Sequence, residues 1–105
     1  MNELELMAFE IISNVGMGKS LAIEAIREAR ENNFEEAEKK IEEAKDFLIQ
    51  GHHAHAGLIT KEANGESLPF SLIIMHAEDQ LMSAETIKDI AVELIELNKK
   101  IANIK

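Results

Sequence analysis

An all-α fold is predicted by three observations. The 105 residues are rich in glutamate, alanine, isoleucine, leucine and lysine; they include one proline and neither tryptophan nor tyrosine; and three long stretches of helical periodicity are parted by two turn signals. At this length one compact domain is expected over residues 1–105, because the chain is too short to bury two cores. The expected arrangement is an antiparallel three-helix bundle subunit, with helices over about residues 3–31, 34–63 and 69–102.

From Leu4, the apolar residues Met7, Ile11, Val15, Ala22, Ile26 and Ala29 recur at helical spacing, and charged residues fill much of the opposite face. Gly16 and Gly18 fall inside this first helix, each costing on the order of 1 kcal/mol relative to alanine, so a kink or brief break is expected there. Asn32 and Asn33 supply a turn, after which Phe34, Ala37, Ile41, Ala44 and Leu48 restart the pattern. The second helix continues through Leu58 and Ile59 to Asn64-Gly65, a stop signal that suits a left-handed cap.

Pro69 sits where a first-turn proline is tolerated, and the periodicity then runs from about Phe70 to Ile101. Along this third helix, Ile73, Ala77, Leu81, Ala84, Ile87, Ala91, Leu94 and Ile101 form a stripe suited to the core of the bundle. Leu72, Met75, Met82, Ile90, Leu97 and Ile104 form a second apolar region. It is wider than one helix of an isolated bundle needs, and it reads as an oligomer interface or as a wide core face in a monomer.

The charge limits the partners. Twenty acidic against 11 basic residues give a formal charge of -9, which repels a nucleic-acid backbone. The longest largely apolar stretch, Leu68 to Met75, is far short of the roughly 20 residues of a membrane-spanning helix, so no membrane insertion is expected. The start, Met1 to Glu5, lacks the basic flank and apolar run of a secretory signal, and there is no cysteine. A cytoplasmic protein is expected.

The third helix also carries the candidate chemistry. His76, Asp79, Gln80 and Ser83 interrupt the apolar stripe from Leu72 to Ile90 for about two turns. An aspartate buried there needs a cation or donors, since an unpaired one costs several kcal/mol. The plain reading is a hydrated groove holding a hydrogen-bonded histidine. The chemical reading is phosphoryl transfer: a neutral imidazole is nucleophilic near pH 7 and can pass the group onward without a triad. The Gln80 amide, one turn after His76, is placed to donate to phosphoryl oxygens. Glu78 or Asp79 should oppose the roughly two negative charges of a phosphoryl group unless neutralised or turned away.

The segment Ser71-Leu72-Ile73-Ile74-Met75-His76-Ala77-Glu78-Asp79-Gln80-Leu81-Met82, followed by Glu93-Leu94-Ile95-Glu96-Leu97, resembles the lactose/cellobiose-type enzyme IIA component of the bacterial phosphoenolpyruvate-dependent sugar phosphotransferase system. Phe9-Glu10-Ile11-Ile12, Asn33-Phe34, Ala37 and Ala44 extend the resemblance over nearly the whole chain. It implies a nine-helix homotrimer and assigns the phosphorylated histidine to His76. The implied donor is the histidine-containing phosphocarrier protein, and the implied acceptor is a cysteine of the cognate IIB component, which phosphorylates a disaccharide such as cellobiose, lactose or chitobiose during transport. Asp79 matches the aspartate that approaches the threefold axis, where three carboxylates would share a hard cation, magnesium by its preference for oxygen ligands.

Where the family has His-Ala-Gln-Asp-His-Leu-Met, this chain has Glu78 for the glutamine and Gln80 for the second histidine. On the second helix His52 keeps the family position, while His55 replaces a glutamine and Ala56 a threonine. His52 is expected to support the phosphoryl group at a subunit boundary. Two other readings compete. His52 and His55 could join His76 or Asp79 around a transition metal such as zinc, although paired histidines three residues apart are common on helices and no HExxH pattern occurs. Alternatively, the bundle is a scaffold or regulator that binds a protein partner without being phosphorylated, for which Glu78 is the main argument.

Overall fold

The computed structural model describes residues 2–68 and 71–104. Helix α1 spans Glu3–Arg30, α2 Phe34–Ala63 and α3 Leu72–Ala102. Asn2 caps α1, its side chain accepting the Glu5 backbone N–H at 2.8 Å, while Glu3 and Glu5 at the start and Arg27 and Arg30 at the end complement the helix dipole.

Both turns are made by left-handed residues. Asn32 takes φ 65°, its N–H bonds to the Ala29 carbonyl, and the Asn33 N–H reaches back to Glu28. Gly65 takes φ 85°, with the matching bonds from Gly65 to Glu62 and from Glu66 to Lys61. Each is a Schellman motif that satisfies carbonyls otherwise orphaned at the helix end. The expected start of the third helix at residue 69 is corrected: Ser71 is extended (φ −145°, ψ 132°), the backbone geometry of an N-cap, and the helix begins at Leu72. Pro69 and Phe70, on which the first-turn expectation rested, lie outside the described residues.

Cross-helix pairings fix the topology. Glu3 with Lys61 and Gly18 beside Leu48 set α1 and α2 antiparallel; His52 with Glu85 and Glu38 with Lys99 set α2 and α3 antiparallel, so α3 runs parallel to α1. Helix α1 packs extensively on both partners, while α2 and α3 touch each other much less. Its core face of Ala8, Ile11, Val15, Ala22, Ala25 and Ala29 is fully buried. That packing accounts for an apolar composition which, by length alone, would also suit a membrane span.

The expected break at Gly16 and Gly18 does not occur, and α1 is continuous there. At Gly18 the gain is close helix approach: a Cβ would lie 3.0 Å from Leu48 and 3.2 Å from the Ala44 carbonyl oxygen. Gly51 is tighter, since a Cβ there would lie 2.5 Å from Val15 Cγ1. Gly51→Ala is therefore expected to destabilise the chain by about 1–3 kcal/mol through overpacking, despite alanine's better helix propensity. Urea denaturation of the two chains checks this; an unchanged or raised midpoint would contradict so close an α1–α2 contact.

On α3 the buried residues are Ala77, Leu81, Ala84, Ala91 and Ile95. Leu94 is only half-buried and Ile101 is exposed, which corrects the lower end of the expected stripe. A walk in steps of seven drifts by about 20° per step from a 3.6-residue helix, so a stripe continued through Ile87, Leu94 and Ile101 rotates off the core. The second apolar region lies outside the core altogether, with Leu72 80%, Met82 68% and Ile104 76% exposed. The wide-core alternative is thereby overturned. The subunit is a rod of 60 × 21 × 19 Å with a radius of gyration of 16.6 Å, against about 13 Å for a compact domain of this length.

Candidate functional site

His76 lies in the second turn of α3 and is exposed. Its neighbour Ala77 is fully buried, so the helix is locked to the core immediately beside it while the imidazole stays in water. At about 100° of rotation per residue, His76, Gln80 and Ser83 share the flank of α3 beside α1, Asp79 stands on the outer face, and Glu78 and Glu85 point the other way. Gln80 and Ser83 are half-buried. Lys19 of α1 closes this flank, its Nζ donating to Ser83 Oγ at 3.3 Å.

The flank toward α2 has a different chemistry. His55 Nε2 donates to Glu78 Oε1 at 2.5 Å, and His52 Nε2 donates to Glu85 Oε1 at 2.6 Å. Lys88 Nζ stands 3.7 Å from the second Glu85 oxygen and 2.7 Å from Asp89 Oδ1. The hydrogen bond that Lys88 donates to the Asp89 carboxylate holds the pKa of its ammonium above the ordinary value against desolvation, with Glu85 adding to the rise. Farther along, the hydrogen bond to Glu38 does the same for Lys99. Polar pairs thus hold the seam where α2 and α3 share little apolar contact.

Two sequence expectations change in this light. Glu78, expected to press on a phosphorylated His76, is turned to α2 and paired with His55. Two of the four departures from the family pattern are partners of each other, a histidine and a glutamate standing where the family pattern has two glutamines. His52 contacts Glu85, which lies nine residues past His76, hence about 180° around α3 and about 13 Å along it. Within one subunit His52 and His76 are therefore not brought together, and contact between them needs a neighbouring subunit.

The zinc reading loses its ligand set on the same geometry. His52 and His55 face separate glutamates, His53 is exposed, and no group of three metal-ligating side chains occurs among the described residues. Asp79 is exposed among Leu72, Met75 and Met82, also exposed, so its carboxylate is hydrated in the single subunit. It becomes costly only if this outer face is covered. Glu85, Ser83 and Lys19 as side-chain partners were not identified from sequence; the signal available was the seven-residue spacing of Glu78 and Glu85, which puts both on one face of α3.

An exposed histidine on a rigid helix, reachable by the surface of another protein, suits a group carrier better than an enclosed small-molecule catalyst. The comparisons with known proteins point the same way. The family model for the lactose/cellobiose-specific IIA subunit of the phosphotransferase system matches residues 6–99. The lichenan-specific phosphotransferase enzyme IIA component of Bacillus subtilis (strain 168) is 46% identical over 99 residues, covering 94% of this chain and 90% of that protein. A lactose-specific EIIA component of Staphylococcus epidermidis is 36% identical over 99 residues, covering 94% and 95%. The crystal structure of the cellobiose-specific enzyme IIA from Bacillus anthracis superposes with a TM-score of 0.97 at 36% identity, covering all of this chain and 96% of that one.

Proposed function

We propose, since this chain belongs to the lactose/cellobiose-specific IIA family of the sugar phosphotransferase system, that it carries a phosphoryl group on His76 between the histidine-containing phosphocarrier protein and a cognate IIB component. The observation that carries the reading is the exposure of His76 beside the buried Ala77 on a helix fixed to the core. A neutral imidazole nitrogen of His76 attacks the phosphorus of the donor's phosphohistidine; the new N–P bond forms as the donor's breaks, and each ring keeps the proton on its other nitrogen. A thiolate of the IIB component then displaces the group from His76. Gln80, one turn away on the same flank, is the amide donor to the phosphoryl oxygens. His52 would contribute only across a subunit boundary.

The carrier acts in the cytoplasm, where both protein partners work, and the disaccharide meets the membrane component rather than this subunit. The assembly is a homotrimer closed by the outer face of α3. Asp79 from three subunits meets there, and a hard cation such as magnesium fits an all-carboxylate donor set, offsetting the repulsion of the three charges. The scaffold alternative rested on Glu78 as an acid at the phosphoryl site, and its pairing with His55 removes that motive.

The test is intact-protein mass after mixing with phosphoenolpyruvate, enzyme I and the histidine phosphocarrier. The expected result is an acid-labile gain of one phosphoryl mass per chain, mapped to the peptide holding His76. No gain, with the donors active on another acceptor, would overturn the reading in favour of a scaffold.

A further inference from the structure

Lys19 stands apart from the other cations of this acidic chain. Among the described residues it is the one half-buried lysine or arginine that makes no ion pair; its ammonium donates instead to the neutral Ser83 hydroxyl at 3.3 Å. Lys40, Lys61, Lys88 and Lys99 all face carboxylates. With 20 acidic residues available for 11 basic ones, a half-buried lysine set against an alcohol forgoes the ion pair that every other half-buried lysine among the described residues makes.

The position of Lys19 indicates where that anion comes from. Ser83 shares its flank of α3 with Gln80 and His76, about one and two turns nearer the helix start. Helices α1 and α3 run parallel, and side chains on a helix lean toward its N-terminus, so the Lys19 stem leans in the direction of His76. On the α1 surface one turn before Lys19, Gly16 adds no side chain, and a Cβ built there meets nothing within 4 Å. The α1 surface is therefore open at Gly16, on the side from which a group on His76 would approach, and Ser83, which holds the ammonium, stands about 10 Å from His76 along the helix axis.

We infer that Lys19 is a positioning residue for the phosphohistidine: it supplies the countercharge to the phosphoryl group on His76, and Ser83 holds its ammonium while His76 is unmodified. The inference rests on the reading of His76 as the phosphoryl acceptor. One positive charge facing about two negative ones across such a distance in partly aqueous surroundings should bias the phosphoryl partition by about three- to tenfold. The effect should fade with salt, because the Debye length falls to about 3 Å at 1 M.

The experiment measures the equilibrium partition of the phosphoryl group between the histidine phosphocarrier and the full-length chain at low and at 1 M salt. It compares wild type, Lys19→Met and Lys19→Arg, with thermal melts of each. Methionine keeps the apolar stem and removes the charge, whereas arginine keeps the charge. Expected is a three- to tenfold shift toward the donor for Lys19→Met at low salt, closing at high salt, with Lys19→Arg close to wild type. A Lys19→Met partition equal to wild type's, or a deficit indifferent to salt and shared by Lys19→Arg, would overturn the inference and leave Lys19 as a tie between helices. A wild-type chain that takes no phosphoryl group would instead fail the reading of His76 itself, and this inference with it.

Discussion

His76→Gln is expected to take up no phosphoryl group, a loss of more than about a thousandfold in rate, while its melting curve stays that of the wild type. The loss should be complete because the carrier step uses one nucleophilic atom, with no second group among the described residues placed to replace it. His52 and His55 have their Nε2 atoms bound to Glu85 and Glu78, on the flank of α3 turned away from Gln80 and Lys19. His53 is exposed on α2, away from those same donors. The fold should be indifferent because the imidazole is exposed and contributes nothing to the core. Intact mass and circular dichroism on the same samples check both halves. A phosphoryl mass retained in the variant would move the acceptor to one of the α2 histidines; a collapsed melt would give the ring a structural role that its exposure does not suggest.

How much of this was legible in the sequence depends on the range of the interaction. The two turns are local events: Asn32 and Gly65 take left-handed conformations because the residue types at those positions tolerate them, and both stand out in the chain before any packing is known. The interruption of the α3 stripe by His76 and Asp79 was legible for the same reason, since spacing along one helix needs no second helix. The rest depends on how helices are rotated and seated against each other, which periodicity constrains only loosely. Gly18 reads as a weak point by propensity, yet there, as at Gly51, α1 and α2 approach so closely that an added Cβ would crowd the facing helix. Ile95, rather than Leu94 or Ile101, is buried because a 3.6-residue helix drifts against a seven-residue walk. The pairing of Glu78 with His55 was beyond reach for the same reason: from sequence, Glu78 is only two residues from His76, and the structure carries it to the other side of the helix.

Leu72→Asp combined with Met82→Asp is expected to convert the proposed trimer into single chains without loss of helix. Both side chains lie on the outer face of α3, 80% and 68% exposed in the subunit, and neither belongs to its buried core. Helix α3 should therefore stay docked on α1 through Ala77, Leu81, Ala84 and Ile95. If that face closes a trimer, each wild-type side chain contributes about 1.5–3 kcal/mol when buried. Each aspartate would remove that contribution and place an extra carboxylate near Asp79, where unpaired burial costs several kcal/mol more. Dissociation should weaken association by well over about a thousandfold, since every 1.4 kcal/mol is a factor of ten. Sedimentation equilibrium then gives the 11.7 kDa of one chain for the variant and three times that for the wild type. A wild-type monomer would show that the outer face serves another partner; a variant still trimeric would put the interface elsewhere, with Leu6, Phe9, Met17, Ile49 and Ile59 as the remaining exposed apolar side chains on α1 and α2. Asp79→Leu separates the role of the metal from that of the apolar face. If Asp79 carboxylates from three subunits share a cation as proposed, a chelator should weaken the wild-type trimer and leave an Asp79→Leu trimer unmoved, because leucine needs no cation and adds apolar area. A wild-type trimer indifferent to the chelator would leave apolar contact alone as the force that holds the three copies together.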